Sequence, residues 1–201
     1  MPKRTAEHMA AQRERIVRGV IACIADKGIE RTSISDICRK VKLSTGSLYL
    51  HFQNKDDLVA EALRYGSLTE NSLPDSWDEL LAMIASLDDQ LGFDITTIAR
   101  NRLHLHAESV HPGALHDIHK PHLERNLRIL SGQLQLLADR GDIGLRMSAM
   151  QTARSINAFI DGMLWIALAT DRPLDELKPE LVVGLSCLVD APHKKSPIEL
   201  A

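Results

Sequence analysis

The chain has 201 residues, enough to bury a sizeable core, and its 44% apolar content excludes a disordered polymer. Only 3% of residues are aromatic, low for an all-β domain, and Leu, Ala, Ile and Arg dominate, which favours helix. The formal charge of −3 hides a split: residues 1–66 carry 12 basic and 8 acidic side chains, whereas residues 67–201 carry 12 and 19. A basic head on an acidic body points one end of the molecule at a polyanion.

Residues 1–10 are polar. Ile16, Val17, Val20, Ile21 and Ile24 recur at spacings of three and four and predict a first helix from about Ala11. Gly28 closes it. Ser33 with Asp36 reads as a capping box with Asp in place of the usual Glu. It opens a short helix over 33–41 with Ile34, Ile37, Cys38 and Val41 inward. Ser44 caps a third helix over 45–52, and Asn54 a fourth that turns Leu58, Ala62 and Leu63 inward. Two short helices joined by about three residues and buttressed on both sides form a helix-turn-helix. The second is too short to stand alone and depends on its neighbours; such a pair presents the start of its second helix to a DNA major groove.

Further along, helices are predicted over Asp75–Leu91 and Asp94–Glu108. His111-Pro112-Gly113 breaks the chain, Ala114–His119 forms a short piece, and Pro121 starts a new helix that runs to about Arg140 and stops at Gly141. Met147–Thr170 is long and apolar, Pro173 ends it, and Glu176–Val189 is the last helix; the tail 193–201 is expected to fray. No strand pattern is visible. The fold class expected is all-α with about nine helices. An N-terminal three-helix domain with a helix-turn-helix covers 1–66, and a larger helical domain covers 67–201.

Cys23, Cys38 and Cys187 offer neither a disulfide framework nor a C-x-x-C pair, which fits a reducing cytoplasm. The longest apolar runs, 162–169 and 181–189, fall well short of a membrane span, and the basic N-terminus lacks the apolar segment of a signal peptide. Motifs for nucleotide, zinc-protease or serine-hydrolase chemistry are absent, so no enzyme and no cofactor is expected.

Thr32–Leu58 reads TSISDICRKVKLSTGSLYLHFQNKDDL. The stretch opening Thr32–Ile37, the run L-S-T-G-S-L-Y-x-H-F and the closing N-K-D-D-L resemble, in order and spacing, the DNA-binding signature of the TetR family of bacterial transcriptional regulators. The resemblance implies an N-terminal domain that binds double-stranded operator DNA and a ligand-binding and dimerisation domain behind it. It also implies repression relieved by a small effector. One departure stands out: family members usually carry Gly in the turn where this chain has Lys42. If the turn needs positive φ, Lys costs about 1 kcal/mol relative to Gly, with an added charge near the DNA face as partial compensation.

The DNA-contacting set expected on these grounds is Thr32, Ser33, Lys42, Ser44, Thr45, Gly46, Ser47, Tyr49, His51 and Lys55. Thr45, Gly46 and Ser47 are small enough for close approach at a helix start, Tyr49 and His51 reach phosphate or the groove wall, and the helix starts at Thr32-Ser33 and Lys55 hold phosphates. Lys3 and Arg4 form a basic arm. Met147–Thr170 and Glu176–Val189 carry more apolar surface than one chain needs, so these two C-terminal helices are expected to pair in a homodimer, with Leu185 and Leu188 on the pairing face.

Phe93, Arg102, His106, Asp161, Met163 and Trp165 are the candidate effector-binding residues: an apolar lining with charges that need a partner if buried. Ile160–Met163 is similar to a segment of the choline-responsive branch of the family, four residues that leave the ligand unassigned. Six of nine histidines fall within His104–His122. A metal-responsive regulator built on that cluster is the alternative reading, but nothing in its spacing enforces convergence on one ion, and no metal ligand is assigned. A helical binding module or enzyme that borrows the helix-turn-helix is the other alternative. An apolar or amphipathic organic effector is the reading adopted.

Overall fold

The computed structural model describes residues 6–65, 73–86, 88 and 91–190. Its helices are α1 (Ala6–Lys27), α2 (Ile34–Val41), α3 (Thr45–Tyr49), α4 (Lys55–Arg64), α5 (Trp77–Ala85), α6 (Ile95–Ser109), α7 (Ala114–Asp139), α8 (Ala149–Ala169) and α9 (Leu177–Ser186), with a 3-10 turn at Leu174–Glu176. The all-α class is confirmed. The tail 193–201, Lys3 and Arg4 lie outside the described residues.

Packing divides the chain into two compact units. One holds Met1–Ser67 with Phe93–Leu123, the other Leu68–Gly92 with Glu124–Ala201. The boundary drawn at 66/67 from charge thus differs from the division by packing, because α6 and the first turns of α7 share the core of the N-terminal helices.

In the first unit, Ile16, Val20, Ile37, Leu48, Phe52 and Leu58 are the most deeply buried members of a core drawn from α1 to α4. Each such side chain contributes about 1.5–3 kcal/mol on leaving water. Helices this short do not persist alone, and each is fastened at its start. The Ser33 hydroxyl accepts from Asp36 N while the Asp36 carboxylate accepts from Ser33 N, closing the capping box; Ser44 accepts from Ser47 N, and Asn54 from Asp57 N. α1 meets α2 at Gly19, where a Cβ would stand 2.2 Å from Val41 Cγ1.

In the second unit, Trp77, Leu80, Leu134, Leu137, Ile156 and Leu185 anchor the core. α9 approaches α8 at Gly184, where a Cβ would fall 2.1 Å from Phe159 Cζ, so only glycine permits this packing. Gly141, with φ 78°, ends α7 in a Schellman turn: its amide donates to Ala138 O and that of Asp142 to Leu137 O.

Three expectations are corrected. The helix expected over 75–91 is interrupted, since α5 ends at Ala85. The amide and hydroxyl of Ser86 both turn back onto the carbonyl of Ala82, the local competition that makes Ser a poor helix interior residue. The short piece at 114–119 and the helix after Pro121 are one continuous α7, with Pro121 inside it. The ring removes a single amide bond, and packing of His119 on one side and of Leu130, Leu134 and Leu137 on the other outweighs that loss. Lastly, Gly144–Leu145 pairs antiparallel with Val189–Asp190; two-residue strands leave no alternation to read.

Candidate nucleic-acid interface

α2 and α3 form the predicted helix-turn-helix, and the turn between them explains its departure from the usual glycine. Lys42 adopts φ 51°, ψ 50° and closes α2 in a Schellman turn. Its amide donates to Arg39 O, and that of Leu43 to Cys38 O at 3.0 Å. The left-handed geometry survives without glycine at a cost of about 1–2 kcal/mol, and it leaves the Lys42 side chain exposed.

Along α3 the residues separate by face. Leu48 is wholly buried, while Ser44, Thr45, Gly46 and Tyr49 are exposed and Ser47 is half-buried. Tyr49, at 48% exposure, stands out from the unit rather than packing between helices. The far end of α3 is held by Arg13 of α1, which donates to His51 O at 2.7 Å, pairs with Glu61 and lies 4.3 Å over the Phe52 ring. Arg13 also holds the Glu61 carboxyl below its ordinary range.

Three members of the expected contact set serve the fold instead of presenting free donors. Thr32 is buried, and its hydroxyl donates to Cys23 O and Gly28 O. The Ser33 amide is taken by Asp36. Lys55 donates to Ile29 O at 2.5 Å and Glu30 O at 3.3 Å, so its ammonium holds the α1–α2 connection. His51 is half-buried beside Phe52. The motif gives residue type and spacing but not which partner a side chain takes: Thr32 and Lys55 turn to the α1–α2 connection, whereas Ser33 stays exposed with Asp36.

Sequence reasoning overlooked a basic groove of about 360 Å3 lined by Arg15, Arg18, Gly19, Ala22, Lys40, Val41 and Lys42. Its signal was present: residues 15, 18 and 22 recur at helical spacing along one side of α1. Arg15 caps the end of α2 by donating to Val41 O at 2.9 Å. Arg18 donates to Tyr65 Oη and lies 4.5 Å over Phe93.

The six candidate effector residues divide between the two units. In the first, Phe93 packs edge-on against Tyr65, and Arg102 and His106 are half-buried, His106 with its ring 5.4 Å from that of His119. In the second, Asp161 accepts from Asn157 at 3.0 Å and Met163 is half-buried. Trp165, at 59% exposure, lies on the surface with Ile166 instead of lining an interior cavity, a correction to its expected place. The histidines divide: His111 is exposed, His116 engages Ser109 O, and the ring of the buried His119 lies 5.4 Å from that of His106 and 6.3 Å from that of His122. Among the described residues no group of three or more His, Cys, Asp or Glu is placed to hold a metal ion. No helix among them is long and apolar enough to cross a membrane.

The fold and this site define an all-α protein built around a helix-turn-helix. The family described as bacterial regulatory proteins, tetR family, matches residues 16–62. The HTH-type transcriptional regulator YvdT of Bacillus subtilis is 30% identical over 89 residues, 44% of this chain and 41% of its own length. The chain therefore spans less than half of that curated relative. The HTH-type transcriptional regulator TtgR of Pseudomonas putida is 25% identical over 182 residues, 84% of this chain and 86% of its own. The crystal structure of a transcriptional regulator from Saccharomonospora viridis in complex with choline superposes with a TM-score of 0.67 at 19% identity, covering 91% of this chain and 100% of the other. Over residues 16–62 this chain is therefore similar to the tetR family of bacterial regulatory proteins, and over most of its length it shares the fold of the choline-bound regulator.

Proposed function

We propose that this chain is a transcriptional repressor whose residues 1–66 bind operator DNA and whose residues 67–201 bind a small organic effector and form a homodimer. The observation that carries the reading is the sorting of α3. A five-residue helix is anchored by the buried Leu48 and by Arg13, while Thr45, Gly46 and Tyr49 are left on its exposed side. Small and hydroxyl-bearing residues at that helix start suit base edges and phosphate oxygens in a major groove. Its relatives are transcriptional regulators, which supports regulation and not catalysis. The choline found in a protein of the same fold supports an organic effector over a metal, without naming the compound.

Two apolar faces support the homodimer. Trp165 and Ile166 on α8 and Val183 on α9, the last at 67% exposure, turn to solvent from the two C-terminal helices. Leu185 is fully buried and Leu188 packs on the core, so the pairing face is re-assigned from these two to Val183 and Trp165. An effector releases the protein only by binding the non-DNA conformation more tightly.

The test is direct. A duplex selected by the protein from random DNA is titrated by fluorescence anisotropy at several salt concentrations. Binding is expected to fall by roughly 10³–10⁵ between 50 and 200 mM salt if about 6–10 phosphates are engaged. Tyr49→Ala and Thr45→Ala are expected to weaken it without changing the thermal midpoint. Binding insensitive to salt and to both substitutions overturns the reading.

A further inference from the structure

The connection between α1 and α2 holds an anion site that the chain fills itself. Gly28 closes α1 with φ 82°, and successive amides following a left-handed residue form a concavity suited to an anion. The occupant is the carboxylate of Glu108, on the last turn of α6. One oxygen accepts from Ile29 N at 2.9 Å and the other from Glu30 N at 3.0 Å. Gly28 is favoured by its φ, and a Cβ there would also crowd Glu108 Oε1 at 3.1 Å and His104 Nδ1 at 3.3 Å.

The same two residues are held by their carbonyls. Lys55, opening α4, donates to Ile29 O and Glu30 O. A two-residue segment is therefore gripped through its donors by one helix and through its acceptors by another. Two residues beyond Glu30 lies the buried Thr32, and then Ser33, the cap that starts α2. α6 is tied to α1 a second time, by Asn101 donating to Ile21 O at 2.8 Å. The start of the helix-turn-helix is thus referenced to α6 through backbone atoms.

We propose that Glu108 is a positioning residue for DNA reading: its carboxylate, seated on the amides of Ile29 and Glu30, fixes the direction in which α2 and α3 leave the α1–α2 connection. This inference rests on the operator-binding function proposed above. Glu108 touches no DNA in this scheme; it acts through the main chain.

The experiment compares the full-length wild type with E108Q and E108D. Gln keeps the volume but has a single acceptor oxygen, and its amide group confronts the second backbone donor. Asp keeps both acceptors on a shorter stem. Affinity is measured for a duplex selected by the wild type and for a scrambled duplex at the same salt, with amide exchange at Ile29 and Glu30 read by NMR. E108Q is expected to lose about tenfold on the selected duplex, what one charge-assisted hydrogen bond supplies, and to bind the scrambled duplex as the wild type does. Exchange at both amides is expected to quicken, and E108D to retain more of the selected-to-scrambled ratio than E108Q. A wild-type ratio in E108Q overturns the proposal, and so does an equal loss on both duplexes, which marks instability alone. If E108Q does not fold, E108D is judged by the same ratio. If the wild type selects no duplex, operator binding fails instead, and unchanged amide protection in the variants then overturns the grip.

Discussion

The short helices α2 to α4 of the first unit and the long helices α7 and α8 are held differently. In the first, α2, α3 and α4 have 8, 5 and 10 residues, and each starts with a side-chain cap. In the second, α8 has 21 residues, and α7, shared between the units, has 26 and accepts a proline within it. Short helices bury little and form only where their ends are fastened, whereas long ones draw on packing along their length. The difference teaches where single residues matter. In the first unit they are caps, turns and clamps; in the second they are the points where helices touch.

The sharpest way to break this comparison is to remove packing from the short-helix unit. Phe52→Ala deletes a buried ring and the seat of Arg13, and is expected to cost about 3–5 kcal/mol in urea unfolding. A loss below 1 kcal/mol means that clamps alone hold that unit. In the long-helix unit the matching test is overpacking. Gly184→Ala puts a methyl group into Phe159, with an expected loss of about 1–3 kcal/mol.

Ser33→Ala removes a cap and is expected to cost about 1 kcal/mol. The pH dependence sharpens the same point. Bonds from Lys27 and Ser33 hold the Asp36 carboxyl well below the usual carboxylate range. A depressed folded-state pKa stabilises above the unfolded value, near 4, and that stabilisation is lost as pH falls through the folded value. Glu61, held down by Arg13, acts in the same direction. The thermal midpoint is therefore expected to drop more steeply below about pH 4 in the wild type than in Asp36→Asn. Parallel curves refute the contribution of this cap.

The smallest effect is expected at the turn. Lys42→Gly relieves a left-handed cost of about 1–2 kcal/mol and adds about 0.5–1 kcal/mol of unfolded-state freedom, for a net gain between about 0 and 1.5 kcal/mol. If Lys42 also meets a phosphate, the slope of log affinity against log salt falls by about one.

What the sequence made legible follows the same division. Ser33, Ser44, Asn54 and Gly28 announced their helix boundaries because caps are local chemistry, written within three residues of where they act. The continuity of α7 through Pro121 was not legible, because packing contributed by distant residues overrides a local breaker. The inward turn of Thr32 and Lys55 was hidden for a related reason: their acceptors lie on a connection whose course depends on α1 and α4 together. Nor did any local pattern mark Glu108, 78 residues from the amide of Glu30. Trp165 was misplaced because a large aromatic side chain suits a core and an exposed apolar patch equally well, and periodicity does not distinguish the two.

Gly184 has one more consequence. It faces Phe159 on the inner side of α9, while its neighbour Val183 looks outward. Seating depth and outward display are thus coupled: a larger residue at 184 lifts the helix and moves Val183 with it. In the homodimer proposed above, a variant at this position is expected to change how tightly two copies associate through the shift of Val183. A screen for association mutants of the proposed dimer is then expected to recover substitutions at Gly184 as well as at Val183.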